Sequence, residues 1–408
     1  MNTGCSDLEG RRRRTRRKPS AAARRVAWLT AGLTTLAVLL PLSIADPADA
    51  AFGGGVKAWG GNGLGQLGIE PERPSGVQFE GTNGPESCVR HPLGNEAHVA
   101  CSRVPVSVPG LREATAVEAE EGFSVALLRN STVVEWGGGA PGSAAPKSVS
   151  GLSGVTAVSR GNKRGVALLR GGTLMEWEPG VPPKPVNGVS QVASIAPHGA
   201  RLAVLRNGTV IEWGGAEPVT VSGLSNVRAI ARAGQCTLAL LANGTLMASG
   251  INQNGCLGNP EFEATTTFVP VVGVAHAVAI AVGGTGPWTH SFAVLCNGTV
   301  MQWGGGGQSE VPQPEPGLHQ VAAIAAAGRG ALALALLRNG TVMAWGFASF
   351  DANEEGAFGD GTIEAQPQPV AVRGLTGATS IAAAGALADF GAEAVDTYGL
   401  AGSSRHRW

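Results

Sequence analysis

The chain lacks the short motifs by which common chemistries are recognised. Its 408 residues contain no P-loop, no Gly-x-Ser-x-Gly nucleophile elbow and no His-Glu-x-x-His. Adjacent carboxylates occur at Glu120-Glu121 and Glu354-Glu355. Neighbours on a strand face opposite ways, so neither pair forms an acid/base couple. The acidic stretch FDANEEGAFGDGT at 350–362 lacks the alternating ligand spacing of a calcium loop. No catalytic residue, metal site or cofactor is therefore expected, and the chain is read as a non-enzyme. Positive charge is also missing where a nucleic-acid binder needs it. Nine of the 30 Lys and Arg and four of the 30 Asp and Glu lie in the first 50 residues, which leaves the remainder at a net charge of −5. A mildly acidic body carries no electrostatic footprint for a phosphate backbone.

What is present is repetition. VALLRNSTVVEWG at 125–137, VALLRGGTLMEW at 166–177, LAVLRNGTVIEWG at 202–214, LALLANGTLMASG at 238–250, FAVLCNGTVMQWG at 292–304 and LALLRNGTVMAWG at 334–346 are copies of one phrase. A partial copy, VKAWG, stands at 56–60. Such periodicity means stacked supersecondary units. Asn-Gly between apolar runs signals a tight hairpin. A two-residue turn at Asn339-Gly340 would pair Leu337 with Val342, Leu336 with Met343 and Leu334 with Trp345. Both hairpin faces are then apolar, which excludes a sandwich with one wet face and fits small sheets wedged between like neighbours. An Ala/Val-rich strand precedes each hairpin (for example AVAIAV at 277–282), and a short Pro-edged strand follows it.

The phase of the repeat implies a closed ring. The N-terminal copy is a hairpin end without its beginning, and the last unit, TSIAAAGALADF, begins without its Trp-Gly end. One blade would combine both ends, with VKAWG pairing to a strand from 379–395, leaving no open sheet edge. Spacing between Trp59, Trp136, Trp177, Trp213, Ser249, Trp303 and Trp345 runs 77, 41, 36, 36, 54 and 42, the long values reflecting loop insertions. The expected fold is all-β, a seven-bladed β-propeller over 51–402, with an insertion at 69–103 and a tail at 403–408.

The units resemble those of the regulator-of-chromosome-condensation repeat family over about residues 52–400. VKAWGGNGLGQLG at 56–68 carries the resemblance best, followed by INQNGCLG at 251–258 and FGDGT at 358–362. Several units have lost the Gly-Gln-Leu-Gly segment, Ser249 replaces one Trp, and the His-Ser that opens the second strand survives as His290-Ser291. The resemblance implies a seven-bladed propeller and, through the family's nuclear founder, a guanine-nucleotide exchange role that export would rule out. A more distant similarity is to exported propellers that inhibit β-lactamases, but those present an aromatic-rich rim.

The first 50 residues read as a separate object. RRRRTRRK at 11–18 and Arg24-Arg25 (n-region 1–25) precede an apolar run from Val26 to Ala45 and an Ala-x-Ala site ending at Ala50. This is the layout of a signal peptide cleaved after Ala50. Retention as a membrane anchor is the alternative, since the run is long enough to span a bilayer. The mature chain is then secreted or extracytoplasmic, with no membrane association after cleavage, and a monomer is expected.

Five cysteines follow residue 50. Cys88 and Cys101 bracket CVRHPLGNEAHVAC, and in an exported protein read as a disulfide stapling a loop. His91 and His98 between them leave zinc as an alternative. Cys236 opens a second strand and Cys256 follows a third, at the same rim, so they can pair; Cys296 is left over at the opposite end.

Binding, if it is the function, belongs to the rim loops between first and second strands. Trp288 in the enlarged loop GTGPWTH, with His290, Arg329, Phe123, Lys163 and Arg164, is the candidate partner-binding set. Packing of Trp288 on a neighbouring loop is the alternative. The partner class is a protein or a cell-surface glycan, with no nucleic acid.

Overall fold

A computed structural model describes residues 55–69, 86–90, 97–120, 122–140, 142–161, 163–305, 309–328, 332–346, 356–364, 368–385 and 398–403. The N-terminal segment, with its proposed cleavage site, and most of the 69–103 insertion lie outside these residues. Among the described residues no helix is long and apolar enough to cross a membrane.

Seven antiparallel sheets form the blades of a propeller. Blades 1 to 6 each take four consecutive strands, beginning in turn at Ala114, Val155, Val192, Val227, Ala277 and Val321. Blade 7 has five. From the axis outward these are Ala378–Ala384, Tyr398–Ser403, Val56–Gly61, Ala97–Ser107 and Glu86–Arg90. Both ends of the described chain thus share one sheet. The partner of VKAWG is Tyr398–Ser403, with Val56 opposite Gly402 and Gly60 opposite Tyr398, rather than a strand from 379–395. The inner strand and its neighbour are separated by a longer connection than in the other units. The sheet also runs to Ser403, one residue past the expected boundary. Two strands, Glu86–Arg90 and the start of Ala97–Ser107, occupy part of the insertion and add a fifth strand at the outer edge.

The hairpin register differs by one residue from the two-residue expectation. Leu336 faces Val342, Ala335 faces Met343 and Ala333 faces Trp345. The Gly340 N–H donates to the Leu337 carbonyl at 2.9 Å, and Gly340 has φ +81°. The turn therefore takes three residues and ends on a left-handed glycine, the bulged hairpin loop that Asn-Gly also suits. Asn339 Oδ1 accepts from the Thr341 N–H at 3.0 Å, and Asn130, Asn207, Asn243 and Asn297 do the same for the threonine two residues on. The Asn-x-Thr pattern is thus a turn brace. Glycine is needed for a second reason. A Cβ on Gly298 would lie 2.7 Å from the Gln320 Cα, because each turn packs against the start of the next blade.

Each inner strand is entered through a left-handed residue: Glu113, Gly154, Gln191, Asn226, His276, Gln320 and Gly377. Apolar clusters fill the wedges between blades. Leu332, Leu334, Leu336, Val342 and Ala344 pack with blade 7, while Ala333, Ala335 and Trp345 pack with Phe292 and Val294 of blade 5.

The strand-end tryptophans explain why some units carry the long loop. Where it is kept, a loop carbonyl accepts the indole N–H of the next blade: Gln66 from Trp136 at 2.8 Å, Cys256 from Trp303 at 2.9 Å, and Ala357 from Trp59 at 2.9 Å. Where it is lost, the residue before the Trp does so instead. Glu135 accepts from Trp177 at 2.9 Å, Glu176 from Trp213 at 2.7 Å and Gln302 from Trp345 at 3.2 Å. Units with the loop have alanine at that position (Ala58, Ala248, Ala344). Ser249 offers no indole to Glu212, which pairs instead with Arg232. A buried N–H needs an acceptor, and the sequence supplies one by either route.

Candidate rim and axial site

The first-to-second strand loops gather on one end of the ring. Blade 2 contributes Gly161, Lys163 and Arg164, and blade 3 contributes His198, Gly199 and Arg201. With Glu120, Arg232, Thr285, Gly286 and Gly328 these enclose an open basin of about 590 Å³ at the axis.

His198 forms its floor. The residue is left-handed (φ +58°) and followed by left-handed Gly199. Gly199 passes so close to blade 2 that a Cβ on it would lie 2.5 Å from the Gly161 Cα. Its N–H donates to Ser159 Oγ at 2.9 Å. The two glycines carry the imidazole inward. Nδ1 of His198 lies 2.7 Å from Glu120 Oε2 of blade 1, and the ring also hydrogen-bonds the Val282 carbonyl of blade 5. One side chain thereby ties three blades together. Burial alone would lower its pKa. The charge and hydrogen bond of Glu120, the charge of Glu118 and the Val282 carbonyl outweigh burial and raise it. Glu118 sits two residues from Glu120 on the same strand face. Burial pushes its pKa up to about 7, with His198 opposing and Glu120 adding to the rise. Below them an alanine-lined channel holds a cavity of about 80 Å³. The contacts to Glu120 and to the Val282 carbonyl make this dyad a clasp across the channel.

Basic side chains line one side. Arg201 donates to Glu176 through Nε at 2.9 Å and Nη2 at 3.0 Å, and Arg232 Nη1 lies 2.6 Å from Glu212. Arg164 pairs with Glu178 at 3.2 Å across an exposed contact. Lys163 is exposed.

The expected partner-binding residues divide. Trp288 lies on a 3-10 turn, Gly286–Trp288, and is 48% exposed. Its loop is held by Thr289, whose Oγ donates to the Gly286 carbonyl at 2.7 Å and accepts from Gln235 N at 3.2 Å. Lys163 and Arg164 reach the basin. His290 does not: it is fully buried, and its pKa is lowered to about 3 by that burial. The reason is that it opens a strand paired to Gly283 and Gly304 on either side, and its ring fills the space above Gly305. Phe123 lies under the buried Arg160 guanidinium, 4.1 Å from ring centroid to Cζ, so its ring packs between blades 1 and 2. Arg329 lies outside the described residues. In the sequence Glu120 stood out only as half of an adjacent carboxylate pair, and His198 and Arg201 only as members of a rim loop; Glu118 and Arg232 were not singled out. The Glu-x-Glu spacing on an inner strand was the one local signal.

Cys236 and Cys256 form a disulfide within blade 4, with Cα atoms 6.3 Å apart. Cys101 is also disulfide-bonded. Its expected partner Cys88 lies opposite Val99 on the adjacent strand, and the Cys88 side chain is outside the described residues. Cys296 is free.

No protein-family model matches the chain, and no curated protein matches it in sequence. Solved structures do match in shape. Prp20p from Saccharomyces cerevisiae, studied for its binding to Gsp1p and histones, aligns at 17% identity with a TM-score of 0.64, over 87% of this chain and 93% of its own. The fold is that of an RCC1-type seven-bladed propeller. The structure of Kap60 bound to yeast RCC1 (Prp20) aligns at 16% identity with a TM-score of 0.67, covering 95% of this chain and 97% of that one. Human WBSCR16 aligns at 18% identity and 0.63, over 86% and 99%. The RCC1-type ring is complete here, since nearly the whole of each neighbour is matched.

Proposed function

We propose that this RCC1-type propeller is an exported, non-catalytic binding protein whose rim face engages a protein partner. The observation that carries the reading is Trp288, half exposed on a braced loop at the lip of a basin lined by Lys163, Arg164, Arg201 and Arg232. A rigid aromatic beside Arg and Lys is the composition of interface hot spots. Protein binding by the similar Prp20p supports a protein over a glycan. The Cys236–Cys256 disulfide and the arginine-led apolar segment at 11–45 support export. Inhibition of a secreted enzyme such as a β-lactamase is the narrower form of the same reading.

The test uses the secreted chain as bait for extracellular protein, with partners identified by mass spectrometry and affinities then measured. Trp288→Ala should weaken the captured partner by about 2 kcal/mol or more, roughly 30-fold, with an unchanged thermal midpoint. A lowered midpoint with unchanged affinity would make Trp288 a packing residue and end the proposal. The intact mass of the secreted chain checks cleavage after Ala50.

A further inference from the structure

We propose that the axial basin receives an acidic peptide segment of that partner, and that Trp288 takes an apolar side chain flanking it. The inference rests on the rim face being the binding surface, and it specifies what that surface recognises.

Three observations carry it. First, the charges are sorted by position. Lys163, Arg164, Arg201 and Arg232, from three successive blades, line the basin, whereas Glu176, Glu178 and Glu212, which hold the three arginines, do not. The carboxylates hold the guanidiniums in place, and it is the Lys and Arg side chains that line the space. This local sorting stands against the net negative charge of the chain beyond residue 50. An entering carboxylate gains from several fixed cations without having to order them.

Second, the rest of the lining is small. Gly161, Gly199, Gly234, Gly286 and Gly328 leave room for a peptide backbone and offer no apolar wall to a hydrophobic ligand. At Gly328 there is no room for growth inward, because a Cβ would stand 2.7 Å from Glu120 Oε2 and 2.8 Å from the His198 ring. The His198–Glu120 pair blocks the basin on that side, and its open side is the rim. Glu120, the one lining carboxylate, is buried and engaged by His198 at 2.7 Å.

Third, the apolar element is adjacent and separate. Thr285 and Gly286 belong to the basin wall, and Trp288 follows two residues later, turned outward. An acidic run followed by an apolar residue would meet both.

The experiment titrates the whole secreted chain, disulfides intact, into fluorescein-labelled octaglutamate carrying two C-terminal leucines. Octaglutamate alone and an octalysine-dileucine peptide are the comparison probes, with sodium tripolyphosphate as competitor, at about 0.15 M salt. The dileucine acidic probe should bind saturably, and more tightly than either comparison peptide. Lys163→Glu, at an exposed position outside the blade cores, should weaken it roughly tenfold or more. Trp288→Ala should remove the advantage of the leucines and leave octaglutamate binding unchanged. Equal binding of acidic and basic probes, or indifference to Lys163→Glu in a variant with a wild-type melting curve, would overturn the proposal. So would one-to-one binding of tripolyphosphate tighter than the peptide, which would make this a phosphate site. If Trp288→Ala abolishes partner capture while no acidic probe binds, the rim reading survives and the acidic-segment reading fails. If the probe binds through Lys163 while capture ignores Trp288, the basin stands as an acidic-peptide site and the rim reading fails.

Discussion

His198 of blade 3 and Glu120 of blade 1 meet across the ring at 2.7 Å, although 78 residues separate them. The contact sets a histidine–carboxylate pair in the axial channel, where the other inner strands supply alanines and isoleucines. Its consequence is a dependence on pH. The raised pKa of His198 means that its contribution is fully present below the unfolded value of about 6.5 and is lost as pH rises through the folded value. His198→Ala should therefore lower the thermal midpoint at pH 6 by more than at pH 9. An equal deficit at both pH values would show that the imidazole acts only by filling space.

Glu118 makes a complementary prediction. Its pKa of about 7 lies above the unfolded carboxylate value, so ionising it works against the fold as pH rises from about 4.5 to 7. Glu118→Gln should be near neutral at pH 5 and stabilising at pH 8, by about 1–2 kcal/mol after allowance for coupling to His198. Chemical denaturation at the two pH values reads this directly.

The acceptor role of the residue before each tryptophan is separable from its charge. Glu176→Ala leaves the Trp213 N–H and the Arg201 guanidinium without their partner and should cost about 2–4 kcal/mol. Glu176→Gln keeps an oxygen for the indole, as Gln302 does for Trp345, and should recover part of that loss. Denaturant midpoints of the two variants compare the terms.

Ser131 stands at the left-handed turn position that glycine fills in the other hairpins, with φ +67°. Ser131→Gly should stabilise by a few tenths to about 1 kcal/mol, by relieving the Cβ strain. Gly298→Ala, which meets both positive φ and the nearby Gln320 backbone, should destabilise by more than about 1 kcal/mol. The same sign for both changes would refute this account of the turn.

Ring closure is tested by truncation. Ending the chain at residue 397 removes the strand that pairs with Val56–Gly61 and should lower the melting midpoint severely, whereas ending it at 403 should cost little. Equal midpoints would show that the two ends do not hold each other.

The periodic pattern of this chain was enough to determine seven blades, the use of both chain ends in one of them, and the rim on which the first-to-second strand loops lie. Repeats make these legible because each unit states the same local rule, and a phase shift between the ends has one geometric solution. The hairpin register was not legible, since Asn-Gly serves a two-residue turn and a bulged three-residue turn alike, and the choice came from the close approach of the next blade to each glycine. The burial of His290 was equally hidden: a histidine opening a strand faces the rim in sequence, but pairing on both sides and the empty space above Gly305 draw it inward. The axial clasp and the basic basin belong to tertiary structure alone. Glu120, His198, Lys163, Arg201 and Arg232 come from four blades, and only closure of the ring brings their loops to one axis. No local propensity encodes a contact whose partners are joined by curvature accumulated over several sheets.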